Sequence, residues 1–203
     1  MITANNIGNI INSWFEKTII YNKDIDFDST EIYSMALEYF KTDYSLYYPQ
    51  SREILLSNVL LRAELQGILL YRISHQYYLK ENLNCDYYSL LGRYLSGFEI
   101  YYSANIGKYF KIYHGLGSVI GARVVIGEYC IIHQGVTFGD KNGMRPIIKD
   151  NVIIYAGAKI LGGITVNNNA IIGANAVCIN DVPENCMAVG VPAKIKTKWN
   201  YQN

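Results

Sequence analysis

Apolar residues recur every six positions through the second half of the chain. Ile148, Ile154, Ile160, Val166, Ile172 and Cys178 form one unbroken series. Four positions after each stands a second apolar or small residue: Val152, Ala158, Ile164, Ala170, Ala176 and Val182. Two earlier runs, Ile100, Ile106, Ile112 and Ile120, Ile126, Ile132, Phe138, keep the same period but are out of step with each other by two residues. A helix would repeat about every 3.6 positions and a half-buried strand every two. A period of six fits neither, and an unbroken series this long argues against a β-sandwich with accidental spacing. It predicts a solenoid with flat faces, in which each unit is a short strand and a turn and three units close one triangular coil. About fourteen such units give four to five coils, with the aliphatic side chains stacked inside.

The first half reads as helices. Ile7 to Ile20 carries apolar residues at helical spacing. Asp28-Ser29-Thr30-Glu31 fits a capping box and opens a helix with Ile32, Met35, Ala36, Tyr39 and Phe40 on one face. After Pro49, Leu55 to Leu79 predicts one long helix with Leu61, Leu65, Ile68, Leu69 and Arg72 on one side, and Asp86 to Leu95 a short one. The expected organisation is an α-helical N-terminal region over 1–98 and a solenoid over 99–203. Composition shifts at the same place. The first part holds 8 basic and 11 acidic residues, 4 of the 17 glycines and 12 of the 19 tyrosines; the second holds 10 basic and 6 acidic residues and 13 glycines.

Across all 203 residues the net charge is +1, with 50% apolar and 17% charged residues. That excludes a disordered chain and the basic footprint of a nucleic-acid binder. No apolar run is long enough to span a membrane. The N-terminus, Met1-Ile2-Thr3-Ala4-Asn5-Asn6, has no signal segment. Cys85, Cys130, Cys178 and Cys186 fall at no metal-ligand or disulfide spacing, so a reduced, cytoplasmic protein is expected.

Several stretches carry a family pattern. They are Tyr71-Arg72-Ile73-Ser74-His75, Ile106-Gly107, His114-Gly115-Leu116-Gly117-Ser118-Val119-Ile120-Gly121, Gly135-Val136-Thr137-Phe138-Gly139, Ala156-Gly157-Ala158-Lys159-Ile160-Leu161-Gly162 and Val189-Gly190-Val191-Pro192-Ala193-Lys194. Over residues 65–198 the chain resembles the hexapeptide-repeat acyltransferases, whose fold is a left-handed parallel β-helix, and within them the serine acetyltransferases. The helical extension favours that branch over the short sugar and xenobiotic acetyltransferases. The resemblance implies an O-acetyltransferase using acetyl-CoA and no metal, assembled as a homotrimer or a dimer of trimers.

Acyl transfer to an alcohol needs a base for the hydroxyl proton, and a neutral imidazole is the usual one. His114 interrupts the repeat at its phase slip, and it matches the family's catalytic histidine. His133 follows the inward Ile132, points outward, and is the second candidate; His75 lies on a helix. The resemblance places an orienting carboxylate fifteen residues before the base, where this chain has Glu99. It also implies that the small residues Ala156, Gly157, Gly173 and Ala174 let the acetyl-CoA arm approach. Lys194, with Lys196 and Lys198, suits its phosphates.

Three features depart from the family. Tyr113 stands where an aspartate would contact the amino acid. The loop from Gly139 to Pro146 is shorter and keeps one basic residue, Arg145, but not the family's histidine. The chain ends at Asn203 without the family's tail, so docking to a cysteine synthase is not expected. A zwitterionic acceptor wants a carboxylate for its ammonium and an Arg for its carboxylate. With half of that pair visible, the residues favour a hydroxyl on a sugar or sugar-containing metabolite. The alternative is serine O-acetylation in cysteine biosynthesis, and a remote one is a non-catalytic β-helix scaffold. A zinc hydratase would need three converging histidines, and His75 lies outside the repeat.

Overall fold

The six-residue period is built as strands of two to four residues joined by tight corners. The computed structural model describes residues 1–18, 25, 27 and 29–197. They cluster into two units, Met1–Ser103 and Ala104–Asn203.

In the second unit the strands stack in parallel on three faces. One face is Asn105–Ile106, Val125–Ile126, Ile147–Ile148 and Thr165–Val166. The second is Lys111–Ile112, Ile131–Ile132, Ile153–Ile154, Ile171–Ile172 and Cys186–Val189, closed by the antiparallel Lys194–Thr197. The third is Val119–Ile120, Thr137–Gly139, Lys159–Leu161 and Val177–Cys178. Together they make a parallel β-helix of about four coils. Ile148, Ile154, Ile160, Val166, Ile172 and Cys178 are all buried, as are Val152, Ala158, Ile164, Ala170, Ala176 and Val182. Each inward aliphatic contributes about 1.5–3 kcal/mol of burial.

One corner of the solenoid is tied by side chains reaching across coils. The Glu128 N–H donates to Asp150 Oδ1 at 2.8 Å and the Asp150 N–H to Asn168 Oδ1 at 3.0 Å. The next residue in each coil, at Tyr109, Tyr129, Asn151, Asn169 and Asn185, has positive φ. Asn tolerates that conformation best. The two tyrosines stack face to face at 4.3 Å.

The helical unit differs from expectation in detail. Helix α1 spans Ile7–Phe15 and stops short; Ile19 and Ile20 lie outside the described residues. Helix α2 spans Thr30–Ser45. Asp28 of the expected capping box lies outside the described residues, and Ser29 occupies the N-cap without a side-chain hydrogen bond. Its buried face runs Ile32, Tyr33, Ala36, Phe40, Asp43 and Tyr44, whereas Met35 is 41% exposed. The expected long helix is two: α3, Leu56–Leu60, and α4, Ala63–Leu79, with Leu61 at the break 82% exposed. Helix α5 covers Asn84–Ser96.

Helix α4 packs against both α2 and α5 and is buried all round, at 11 of its 17 positions. It carries Arg72, 2% exposed, whose Nε donates to Asp43 Oδ2 at 2.9 Å and whose Nη2 donates to Oδ1 at 3.1 Å. The guanidinium also lies over the Tyr39 and Tyr71 rings. Among the described residues no helix is long and apolar enough to cross a membrane, and no group of His, Cys, Asp and Glu could hold a metal ion.

Candidate active site

The corner between the second and third faces repeats a simple turn. After the inward aliphatic come two residues and then one of positive φ: Gly135 after Ile132, Gly157 after Ile154, Asn175 after Ile172. In the first coil Gly117 takes that place, three residues before Ile120. The two extra residues of the phase slip are therefore His114-Gly115. Backbone bonds confirm the phase: Gly135 N–H donates to Leu116 O, Gly157 N–H to Gln134 O and Asn175 N–H to Ala156 O. His114 itself has φ +57°, a second left-handed residue in one turn, which lifts its exposed side chain out of the ladder. The Leu116 N–H closes the bulge on the His114 carbonyl. Among the described residues the His114 ring makes no hydrogen bond, so it is open to a substrate.

Above the bulge stands a stack of rings. Tyr113, His133 and Tyr155 each follow an inward isoleucine and lie in register on neighbouring strands. The imidazole of His133 is 5.1 Å from each tyrosine ring, stacked on both. Lys111 Nζ sits 4.6 Å from the Tyr113 ring centre. Burial between the rings lowers the His133 pKa below its ordinary value, and the nearby charge of His114 lowers it further. His133 is thus an outward residue, as expected, and its neutral imidazole neighbours that of His114. Tyr155 was not anticipated, although its phase, one after Ile154, matches that of Tyr113 and His133.

Above the ring stack, the same edge of the second face passes through Gly173 and Val189. Lys194 pairs with Val189. At about 4.8 Å per strand, the four steps from Tyr113 to Val189 span about 19 Å. Ala156, Gly157, Gly173 and Ala174 therefore line one corner running from His114 toward Lys194. The two glycines also serve the solenoid. A Cβ on Gly157 would meet Asn175 Oδ1 at 2.1 Å, and one on Gly173 would meet Val189 Cγ1 at 2.8 Å. Lys194 and Lys196 are exposed; Lys198 lies outside the described residues.

Arg145 is already engaged by its own loop and by the turn at Ala122. Its guanidinium pairs with Asp140 and donates to the Ala122 carbonyl at 3.1 Å and the Met144 carbonyl at 3.3 Å. An acceptor carboxylate would have to share it. Glu99 lies in the first unit, where its carboxylate faces Arg93 Nη1 at 3.5 Å.

Comparison with known proteins agrees with this architecture. Residues 145–180 match the family model described as bacterial transferase hexapeptide (six repeats). The chain is 39% identical over 135 residues to the serine acetyltransferase of Synechococcus elongatus, covering 64% of this chain and 55% of that protein. It thus spans little more than half the length of that curated relative. Among solved structures it is similar to the serine acetyltransferase of Neisseria gonorrhoeae in complex with serine, with TM-score 0.76 and 28% identity, over 96% of this chain and 84% of that one. It is likewise similar to a serine acetyltransferase in complex with CoA, with TM-score 0.77 and 28% identity, over 95% of this chain and 84% of that one.

Proposed function

Since the chain belongs to the serine acetyltransferase family of hexapeptide-repeat transferases, we propose that it transfers the acetyl group of acetyl-CoA to the side-chain hydroxyl of serine. The observation that carries the reading is His114, raised by a two-residue insertion at the foot of a corner lined with small residues. In this reading the His114 imidazole takes the serine hydroxyl proton as the oxygen attacks the thioester carbon. The tetrahedral adduct then collapses, the carbon–sulfur bond breaks, and the imidazolium returns the proton to the departing thiolate. The products are O-acetylserine and CoA. His133, its pKa lowered by burial between Tyr113 and Tyr155, stands beside the base as a neutral imidazole. Ala156, Gly157, Gly173 and Ala174 leave room for the pantetheine arm, and Lys194 offers charge to the phosphates. The proposed assembly is a homotrimer or a dimer of trimers.

Tyr113 and the shortened loop pointed to a sugar acceptor; the relatives support serine better. Sugar acetylation remains a second reading because a stack of three rings beside the base suits a sugar face. The deciding experiment follows CoA thiol release with serine and with a panel of hexoses at equal acetyl-CoA. A serine kcat/KM of about 10⁴ M⁻¹s⁻¹ or more is expected, falling about 10²–10⁴-fold in His114→Ala with CoA binding retained. Inert serine beside a turned-over hexose, or a fully active His114→Ala, would reject the reading.

A further inference from the structure

Helix α5 carries a cleft that the proposed chemistry does not use. Asp86, Ser89 and Arg93 stand at i, i+3 and i+7, on one face of the helix. With Glu99, Tyr101 and Tyr102 they line a cavity of about 240 Å³, wholly within Met1–Ser103. That is below the ~300–1,000 Å³ of sites for drug-sized ligands, so the occupant is a small metabolite. Asp86 stands in the first turn of α5 and Arg93 in the last. Helical side chains lean toward the N-terminus, which carries the long Arg93 side chain back along the cleft toward the short Asp86.

We propose that this cleft binds a free small α-amino acid as its zwitterion, the ammonium on Asp86 and the carboxylate on Arg93. The charges favour that class. The Arg93–Glu99 pair uses one charge of each sign and leaves Asp86 for an ammonium. At 3.5 Å the contact is longer than the ~2.7–2.9 Å of a charge-assisted bond, and it uses few of the five guanidinium donors. Arg93 is 54% exposed, so a ligand carboxylate can take a second edge of the fork. Ser89 supplies a hydroxyl between the two ends. The Tyr101 hydroxyl donates to that of Tyr102 at 3.1 Å, leaving the Tyr102 proton for the ligand. A dicarboxylate would face both Asp86 and Glu99, and a simple amine would leave the Arg93 edge unused. The site stands whether the acetyl acceptor is serine or a sugar.

The test is calorimetric titration of the full chain, without acetyl-CoA, using L-alanine, which has no hydroxyl to acetylate. Ethylamine and propionate serve as half-ligands. L-Alanine is expected to bind in the millimolar range and each half-ligand about tenfold or more weakly, since each loses one charged hydrogen-bond set. Asp86→Asn and Arg93→Gln should each weaken L-alanine by about tenfold or more. Should either fail to fold, Asp86→Glu and Arg93→Lys take its place, with a smaller weakening expected. Half-ligands that bind as well as L-alanine, no detectable binding, or folded variants with unchanged affinity would overturn the proposal. Loss of serine turnover with L-alanine binding intact would reject the catalytic reading and leave this one standing.

Discussion

The solenoid and the helical unit bury comparable kinds of side chain, yet they expose their logic differently. In the solenoid the inward residues return every six positions and their neighbours lie one coil away, so the core repeats in the sequence. Ile148, Ile154 and Ile160 differ only in which of the three faces they occupy, and each is essentially sealed from solvent. In the helical unit the neighbours of a residue belong to other helices at irregular separations. Helix α4 is covered on all sides, so it shows no apolar stripe. Leu61, apolar and in helical phase, is 82% exposed, whereas Asp43, charged, is fully buried.

That contrast can be broken by substitution. The largest effect is expected for Ile160→Asp, which puts a carboxylate at a fully buried position among stacked aliphatics. An unpaired buried charge costs many kcal/mol, or several after relaxation and protonation. The variant should not fold at 37 °C, or should melt tens of degrees lower by circular dichroism. Unchanged melting would mean that the six-residue phase does not point inward.

The helical counterpart is Asp43→Ala. It strands the buried Arg72 guanidinium, and breaking a buried pair from one side costs about 3–5 kcal/mol. Replacing Leu61, the residue with the better apolar credentials, should cost almost nothing. Chemical denaturation of the two variants checks both. An Asp43→Ala loss below about 1 kcal/mol would show that the pair is dispensable to the unit's stability.

The same contrast decides how much of the site was legible. His114 stands out as a candidate because an insertion of two residues is conspicuous against a strict period. His133 was placed outward because it follows Ile132, and the same phasing applied to Ile154 would have found Tyr155. The ring stack itself was not legible, since its members lie 20 and 22 positions apart and only coil registration brings them together. Arg145 read as the loop's one basic contact for an acceptor, and nothing in the sequence says that Asp140 and two carbonyls hold it. The break between α3 and α4 was invisible, as Leu60, Leu61 and Arg62 are all good helix formers.

The smallest expected effect compares one histidine from each region. His75 sits on α4, its Nδ1 2.7 Å from the Tyr102 carbonyl, and burial lowers its pKa despite that bond. His133 is lowered by burial between the tyrosines and then by His114. In the unfolded chain both titrate near the ordinary value, about 6.5. As pH falls through that value the unfolded state takes up protons that the native state still refuses. Between the ordinary and the lowered pKa the unfolded state binds more protons, so stability rises with pH there. It is highest above pH ~6.5 and declines on acidification until the native histidines also protonate. Melting temperature measured from pH 8 to 5 should therefore fall, by no more than about 2–4 °C for each kcal/mol lost at this length. His75→Gln should flatten that fall more than His133→Gln, because solvent screens the half-exposed His133 better. His114→Ala should recover part of the His133 share by removing the neighbouring charge. A larger effect from His133→Gln than from His75→Gln would place the stronger desolvation at the ring stack rather than in the helices.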